Sequence, residues 1–427
     1  MTESNGPTSP RIAALSLDLA AGNSAALTHF WREVVETGTP LIEKIDGVED
    51  ERIVTFLWQS TGSLANVAVI TRWLSQNILA EPMSHLPGSD VWFRSFRARS
   101  DLRGSYHLSP NDPLLRWDQI TDEGLEEVAR NWQPDPLNAR TLDLAFSEEE
   151  PWPGKMVTSV FELPDAPPQP WSDPRPNTSR GRVEEHQFHS VSLDNDRSLW
   201  VYTPPGYDAE AGPYPLLVVF DGAAYIQTIQ VPVMLDNLRA DGCIPPTVAV
   251  MVGNVTKRSR RDELPCNAQF ADALAHEMLP WVRERYRVTD DPGRTVVAGS
   301  SFGGLASAFV AFQHPEVFGL VLSQSGSYWW PGEAAEWEWL PRQFAASPLL
   351  PVRFYLNIGL LETDVRPRAG HPSMLVVNRH MRTVLKAKGY PVGYAEFMGG
   401  HDYACWRATL ADGLIHLLGR EIGRMSE

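Results

Sequence analysis

The stretch Arg294-Thr-Val-Val-Ala-Gly-Ser-Ser-Phe-Gly-Gly304 decides the fold. An apolar run, Thr295 to Ala298, enters Gly299-Ser300-Ser301-Phe302-Gly303, which fits G-x-S-x-G with Ser301 at its centre. A helix-like apolar segment, Leu305 to Phe312, leaves it. Strand, sharp turn and helix in that order are the setting of a nucleophile elbow, which lifts a serine hydroxyl above a sheet. The glycines are needed because the turn forces the serine into strained backbone geometry, where neighbouring Cβ atoms would clash. Outside that setting the same five residues would be an ordinary Gly/Ser turn.

Around the elbow, from about Val183, the pattern is regular. Two strand-like runs, Gln187 to Leu193 and Ser198 to Thr203, read as a starting hairpin. Leu216 to Phe220, Thr247 to Val252, Thr295 to Ala298, Leu320 to Leu322 and Arg353 to Ile358 then alternate with helical segments. Those helices include Ala268 to Tyr286, Leu305 to Phe312 and Ser373 to Lys388. Tyr394 to Phe397 supplies a last strand, and Ala408 to Arg424 a closing helix. Continuous apolar strands interleaved with helices predict a mostly parallel sheet covered on both faces. The layout is that of an α/β-hydrolase over residues 183–427.

Residues 1–163 lack this alternation. After an amphipathic helix over Leu27 to Glu43, they offer short β-rich runs at Arg52–Trp58, Asn66–Thr71, Val91–Phe96 and Arg103–Leu108. The third alternates with period two, as a half-buried strand should. Strands at this spacing predict a small all-β sandwich as an N-terminal domain. Residues 164–182, with six prolines and little apolar content, read as an extended linker.

Composition agrees with two domains. The 427 residues exceed one typical domain, and 43% hydrophobic residues with 15 Trp can fill substantial cores. No apolar run reaches the roughly 18–20 residues that span a bilayer, so no membrane partner is expected. A net charge of −16 argues against nucleic acid, which needs a basic face. Three cysteines form no disulfide framework, and the polar start from Met1 to Pro10 lacks signal-peptide order, so a cytoplasmic location is expected. One basic run stands against the acidic background, Lys257-Arg258-Ser-Arg260-Arg261, and is a candidate anion site.

A serine hydroxyl becomes nucleophilic when a histidine takes its proton and a carboxylate fixes the imidazole tautomer. In this fold the partners follow in the order serine, acid, histidine, each on a loop after a strand. Phe397-Met-Gly-Gly-His401-Asp402 lies after the last strand, so His401 is the candidate base, while His314, His371 and His380 fall too early. An unperturbed pKa near 6.5 suits a group that is neutral before attack and charged after it. Gly359-Leu-Leu-Glu362-Thr-Asp364 offers two carboxylates for the acid; Glu362, closer to the strand end, is favoured over Asp364. Asp402 reads as a cap on the final helix. The oxyanion donors should be the backbone N–H groups of Phe302 and of Gly222, after the Leu216–Phe220 strand. No metal-ligand spacing, P-loop or GxGxxG segment appears, and no cofactor is expected. Cys266 and Cys405 read as buried thiols.

Several longer runs are more specific than G-x-S-x-G. They are Val219-Phe-Asp-Gly222, Arg260-Arg-Asp-Glu-Leu-Pro-Cys-Asn267, Leu322-Ser-Gln-Ser-Gly-Ser-Tyr-Trp-Trp-Pro331, Gly359-Leu-Leu-Glu362 and Gly399-Gly-His-Asp-Tyr-Ala-Cys-Trp-Arg407. With these the catalytic half closely resembles the cytoplasmic enterochelin (enterobactin) esterases. Asp90-Val-Trp-Phe, Arg103-Gly-Ser-Tyr106 and Asp135-Pro-Leu-Asn138 resemble that family's N-terminal domain.

The resemblance implies a serine esterase that cleaves ferric tris-catecholate trilactones, with iron arriving as part of the small-molecule substrate. It implies Ser301 as nucleophile and His401 as base, and it puts Glu362 in the family's acid slot; some siderophore esterases work with a Ser–His pair. A ferric tris-catecholate carries about three negative charges, and a cation facing it at about 4 Å is worth around 1 to 4 kcal/mol as the effective dielectric falls from bulk water to about 20. Arg260 is the candidate cation, ahead of Arg258 and Arg261. Tyr328, Trp329, Trp330 and Trp406 are candidates for stacking on catechol rings. Two runs depart from the family: Ala223-Ala-Tyr225 replaces a bulkier aromatic segment, and Val252-Gly-Asn-Val255 lacks an acidic pattern. The alternative is a carboxylesterase or acyltransferase of the same superfamily acting on a feruloyl or acyl-sugar ester.

Overall fold

The computed structural model describes residues 9–71, 79–115, 124, 128–145, 156–332, 336–363 and 372–419. The chain divides into two compact units. One takes in the described residues of 1–144, 152–167 and 398–404; the other takes in those of 145–151, 168–397 and 405–427.

The first unit opens with two helices, α1 (Pro10–Ala20) and α2 (Ala26–Thr37), and then builds two antiparallel sheets. Strands β1 (Leu41–Ile45), β2 (Val48–Gln59), β5 (Ser84–His85) and β6 (Val91–Arg99) pair in the order β1-β2-β6-β5. Strands β3 (Val67–Thr71), β4 (Leu79–Pro82), β7 (Arg103–Pro110), β8 (Thr141–Leu144) and β9 (Met156–Glu162) pair in the order β4-β3-β7-β9-β8. The single helix expected over Leu27–Glu43 is therefore corrected. Gly38 takes a φ of 77° at the end of α2 and Pro40 follows, so Leu41–Glu43 enters β1 instead. Helix α1 was not anticipated, although its signal is present: the Ser9 side chain accepts the Ile12 N–H at 3.2 Å and Pro10 occupies the first turn. The Asp135 and Asn138 side chains both bond the buried Tyr106 hydroxyl, at 2.8 and 3.1 Å.

The second unit carries an eight-stranded sheet: β10 (Arg182–Ser190), β11 (Asn195–Thr203), β12 (Leu216–Val219), β13 (Val248–Val252), β14 (Thr295–Ser300), β15 (Leu320–Gln324), β16 (Arg353–Gly359) and β17 (Val392–Phe397). Its order is β10-β11-β13-β12-β14-β15-β16-β17, antiparallel through β13 and parallel from there on. This is the α/β-hydrolase arrangement, with β14, which leads into Ser301, central. The central strands are buried along their whole length, which matches their mostly apolar, Val- and Leu-rich content.

Helices α3 (Gly222–Gln227), α4 (Val231–Ala240), α5 (Lys257–Glu263), α6 (Ala268–Ala273), α7 (Leu279–Arg285), α8 (Phe302–Gln313), α9 (Trp339–Ala346), α10 (Met374–Lys388) and α11 (Tyr403–Leu418) connect or follow the strands. Val297, Leu305, Phe309, Val321, Phe354 and Leu356 belong to one continuous core between the sheet and these helices. The helix expected over Ala268–Tyr286 is interrupted by a π-turn at Leu274–Met278, just ahead of Pro280, which has no N–H to continue the ladder. No helix among the described residues is long and apolar enough to cross a membrane.

Candidate active site

Register places the site. Val219 on β12 lies beside Ala298 on β14, and Ser300 lies beside Gln324 on β15. The chain therefore leaves three neighbouring strands at one edge of the sheet, through Asp221, Ser301 and Ser325.

Ser301 turns the chain from β14 into α8 with φ 58° and ψ −119°, a region that an L-residue occupies only when its surroundings impose it. Its N–H donates to the Gln324 carbonyl at 2.9 Å, and its own carbonyl accepts from Ser327 N at 3.0 Å. A Cβ on Gly299 would stand 2.6 Å from the Gly303 carbonyl carbon, so that position admits only glycine. A Cβ on Gly304 would meet Ser323 Oγ at 2.7 Å, whereas on Gly303 it would reach nothing closer than 3.4 Å. The second glycine of G-x-S-x-G is thus dispensable on steric grounds, and the one after it is not. Ser301 Oγ lies 3.4 Å from Ser327 Oγ.

Phe302 and Gly222 are the first residues of α8 and α3, so neither N–H has an acceptor within its own helix. Gly222 is required where it stands: a Cβ would come within 2.9 Å of the Met251 backbone and of the Trp200 ring. Before it, Asp221 adopts φ 57° and ψ 48°, which turns the chain abruptly out of β12.

Asp221 lies in a stretch that the sequence singled out, but the partners of its side chain were not legible there. Its carboxylate accepts from Arg260 Nε at 2.5 Å, from Arg260 Nη2 at 2.8 Å and from Asn254 Nδ2 at 2.6 Å. The Arg260 guanidinium thus shares its charge with a buried carboxylate while its own side chain stays partly exposed. Helix α5 holds Arg260 there. It starts with a capping box between Thr256 and Ser259. Near its end, Glu263 makes a buried two-pronged pair with Arg197 at 2.8 and 3.1 Å. Three residues apart, Arg260 and Glu263 share one helix face, so the buried pair aims the guanidinium.

The Arg260 guanidinium sits 5.7 Å from the Phe302 ring centroid. Trp329 and Trp330, both half-buried, approach the same ring at 5.9 and 6.1 Å. Three of the candidate residues thus converge on Phe302, the residue after Ser301. Tyr328 and Trp406 do not join them. Tyr328 is fully buried, its hydroxyl bonds Ser323 Oγ at 2.8 Å, and burial pushes its phenol pKa up. Trp406 is 4% exposed and donates from Nε1 to Ser325 Oγ at 3.0 Å. Both rings belong to the scaffold, which corrects their assignment as stacking surfaces.

Glu362, fully buried after β16, accepts from Ser325 Oγ at 2.6 Å and from Gly359 N at 3.1 Å. Ser325 thus links Trp406 to the carboxylate, a role nothing in the sequence pattern disclosed. Asp364 and His371 lie outside the described residues. His401 is half-buried between β17 and α11. The next residue, Asp402, is 1% exposed and caps α11 through Ala404 N at 2.9 Å, as expected. It also accepts from Ser105 N at 2.6 Å and Ser105 Oγ at 3.0 Å, on β7. Burial pushes the Cys266 thiol pKa up, which makes it a poor nucleophile.

Comparisons with known proteins bear on the family of the whole chain. The Esterase family model matches residues 190–417, and the model for the N-terminal domain of enterochelin esterases matches residues 53–172. The iron(III) enterobactin esterase of Dickeya dadantii is 32% identical to this chain over 95% of each. The iron(III) salmochelin esterase of Escherichia coli is 31% identical over 94% of this chain and 96% of its own. A crystal structure of the Shigella flexneri enterobactin esterase in the presence of enterobactin is similar at a TM-score of 0.74, with 30% identity, 91% of this chain and 97% of that one.

Proposed function

The chain belongs to the enterobactin (enterochelin) esterase family of ester hydrolases, and from that premise we propose that it cleaves the trilactone backbone of a ferric catecholate siderophore and so releases iron in the cytoplasm. The observation that carries the substrate class is the wall around Phe302. Trp329, Trp330 and the Arg260 guanidinium meet one ring beside the nucleophile. Flat catechol rings suit the indoles, and their negative charge suits the guanidinium. The three cysteines form no disulfide, in keeping with a reducing compartment.

In the proposed mechanism Ser301 Oγ attacks a lactone carbonyl while His401 takes its proton. The tetrahedral oxyanion accepts the N–H groups of Phe302 and Gly222, each worth about 3 kcal/mol of transition-state stabilisation. His401 then gives its proton to the departing serine alkoxide of the trilactone. Water, deprotonated by the same imidazole, hydrolyses the acyl-enzyme. Glu362 holds the imidazole tautomer, and its buried, twice-bonded carboxylate suits that duty.

Mass spectrometry of products after incubation with iron-loaded trilactones tests the reading. Linear catechoyl-serine esters should accumulate with the native chain, while Ser301→Ala should lower turnover by about 10⁶-fold and still bind the ferric substrate. Faster hydrolysis of a feruloyl ester than of any ferric trilactone would sink the substrate assignment.

A further inference from the structure

At the end of α8 opposite Ser301 stands a group of side chains that the esterase chemistry does not use. Asp272 on α6 and His276 in the π-turn are four residues apart on one helical face, and His314 ends α8 next to them. Asp272 Oδ1 is 2.8 Å from His314 Nε2, and the His276 ring meets the His314 ring edge-on at 4.9 Å between centroids. One ligand atom from each of the three lies within 4.8 Å of the others. Glu316 Oε1 stands 3.2 Å from His314 Nδ1, on the far side of that ring.

We propose that Asp272, His276 and His314 form a binding site for a borderline divalent transition metal of the Zn²⁺ class. Two imidazoles and one carboxylate are a nitrogen-rich set that such ions prefer, whereas Ca²⁺ and Mg²⁺ require oxygen ligands. Zn–ligand distances of about 2.0–2.2 Å put tetrahedral ligand atoms roughly 3.4 Å apart. The Asp272–His314 pair is already inside that spacing, and the exposed His276 ring has room to close the rest.

The surroundings of His314 have the form of a metal ligand's support. A carboxylate on Nδ1 orients the ring and commits Nε2 to the other side, which is the usual outer partner of a zinc-bound histidine. Nε2 faces the Asp272 carboxylate, where either a proton or a metal ion must lie between nitrogen and oxygen; binding exchanges the one for the other. The π-turn adds a second mark. Such turns occur frequently at functional sites, and this one carries His276. With Asp272 and His276 both exposed, a fourth position is open to water. At about 1.5 Å per residue along α8, the metal would sit roughly 18 Å from the nucleophile. It would tie the end of the elbow helix to α6 and the π-turn, as a structural ion.

The test is titration of the full chain with Zn²⁺ by calorimetry, followed by thermal melts and the visible spectrum of the Co²⁺ form. One equivalent should bind, raise the melting temperature, and give tetrahedral Co²⁺ bands without thiolate charge transfer. His276→Gln and Asp272→Asn, both at exposed positions, should melt like the native chain without metal and lose the Zn²⁺-induced rise. Glu316→Gln should weaken binding about 10-fold or more. Absence of stoichiometric binding, a thiolate band in the Co²⁺ spectrum, or an undiminished rise in His276→Gln would overturn the proposal.

Discussion

Replacing Asp402 by alanine should damage both stability and catalysis, and the structure gives the size of each effect. The carboxylate is buried and accepts three hydrogen bonds, from Ser105 N at 2.6 Å, Ser105 Oγ at 3.0 Å and Ala404 N at 2.9 Å. Alanine orphans two buried backbone N–H groups, while the Ser105 hydroxyl can turn elsewhere. At about 1–3 kcal/mol per orphaned buried donor, the loss should be roughly 3 kcal/mol. Ser105→Ala, which removes the hydroxyl bond alone, should cost about 1 kcal/mol. Asp402→Asn keeps one acceptor but turns an amide donor toward another donor, and should fall between them. Because His401 is the preceding residue, release of this anchor shifts the imidazole, and about 1 Å of misplacement costs on the order of 10²-fold in rate. Urea denaturation and kcat on an activated ester measure the two effects. If Asp402→Ala unfolded at the native urea midpoint and kept kcat within twofold, the reasoning that this carboxylate anchors the histidine loop would be refuted.

Four further outcomes are expected. Glu362→Gln should keep the Ser325 and Gly359 bonds, and hence the fold, yet lower kcat by about 10⁴-fold; near-native kcat would show that a Ser–His pair suffices. Gly299→Ala should fail to fold stably while Gly303→Ala stays folded, by circular dichroism and melting temperature, since only the first places a Cβ at 2.6 Å from backbone. Arg260→Gln should raise KM for the ferric substrate far more than for an uncharged activated ester. Glu396 is held down to about 2 by hydrogen bonds and charge from Arg379. A carboxylate whose folded pKa is lowered stabilises the fold above its unfolded value near 4.3, and that contribution disappears as pH falls toward 2. Glu396→Gln should therefore melt lower at pH 6 and converge with the native chain near pH 2.

The elbow was legible because its signal is local: glycines, one serine and an apolar flank within a dozen residues. Each strand of the parallel sheet was legible for the same reason. The exchange of β12 and β13 in the sheet order was not, because pairing is decided by crossover packing rather than by either strand's own residues. Leu41–Glu43 was misread because a helical pattern ran on past Gly38, and the tertiary pairing with β2 prevailed. The partners of the site escaped for a related reason. Asp221 with Arg260, Ser325 with Glu362 and Ser105 with Asp402 join residues 39, 37 and 297 positions apart. No periodicity connects such distances. The family motifs did contain Asp221, Ser325 and Ser105, but marked them only as members of a pattern.

Phe302 has a position with an evolutionary cost attached. Its amide is assigned to the reacting oxygen, while its ring supports the two indoles and the guanidinium proposed to meet the ligand. Selection for a bulkier or differently decorated siderophore must reshape that ring's neighbourhood without tilting the peptide plane behind it. Lineages changing their preferred ligand should therefore vary at the outer indoles first and leave the phenyl group untouched.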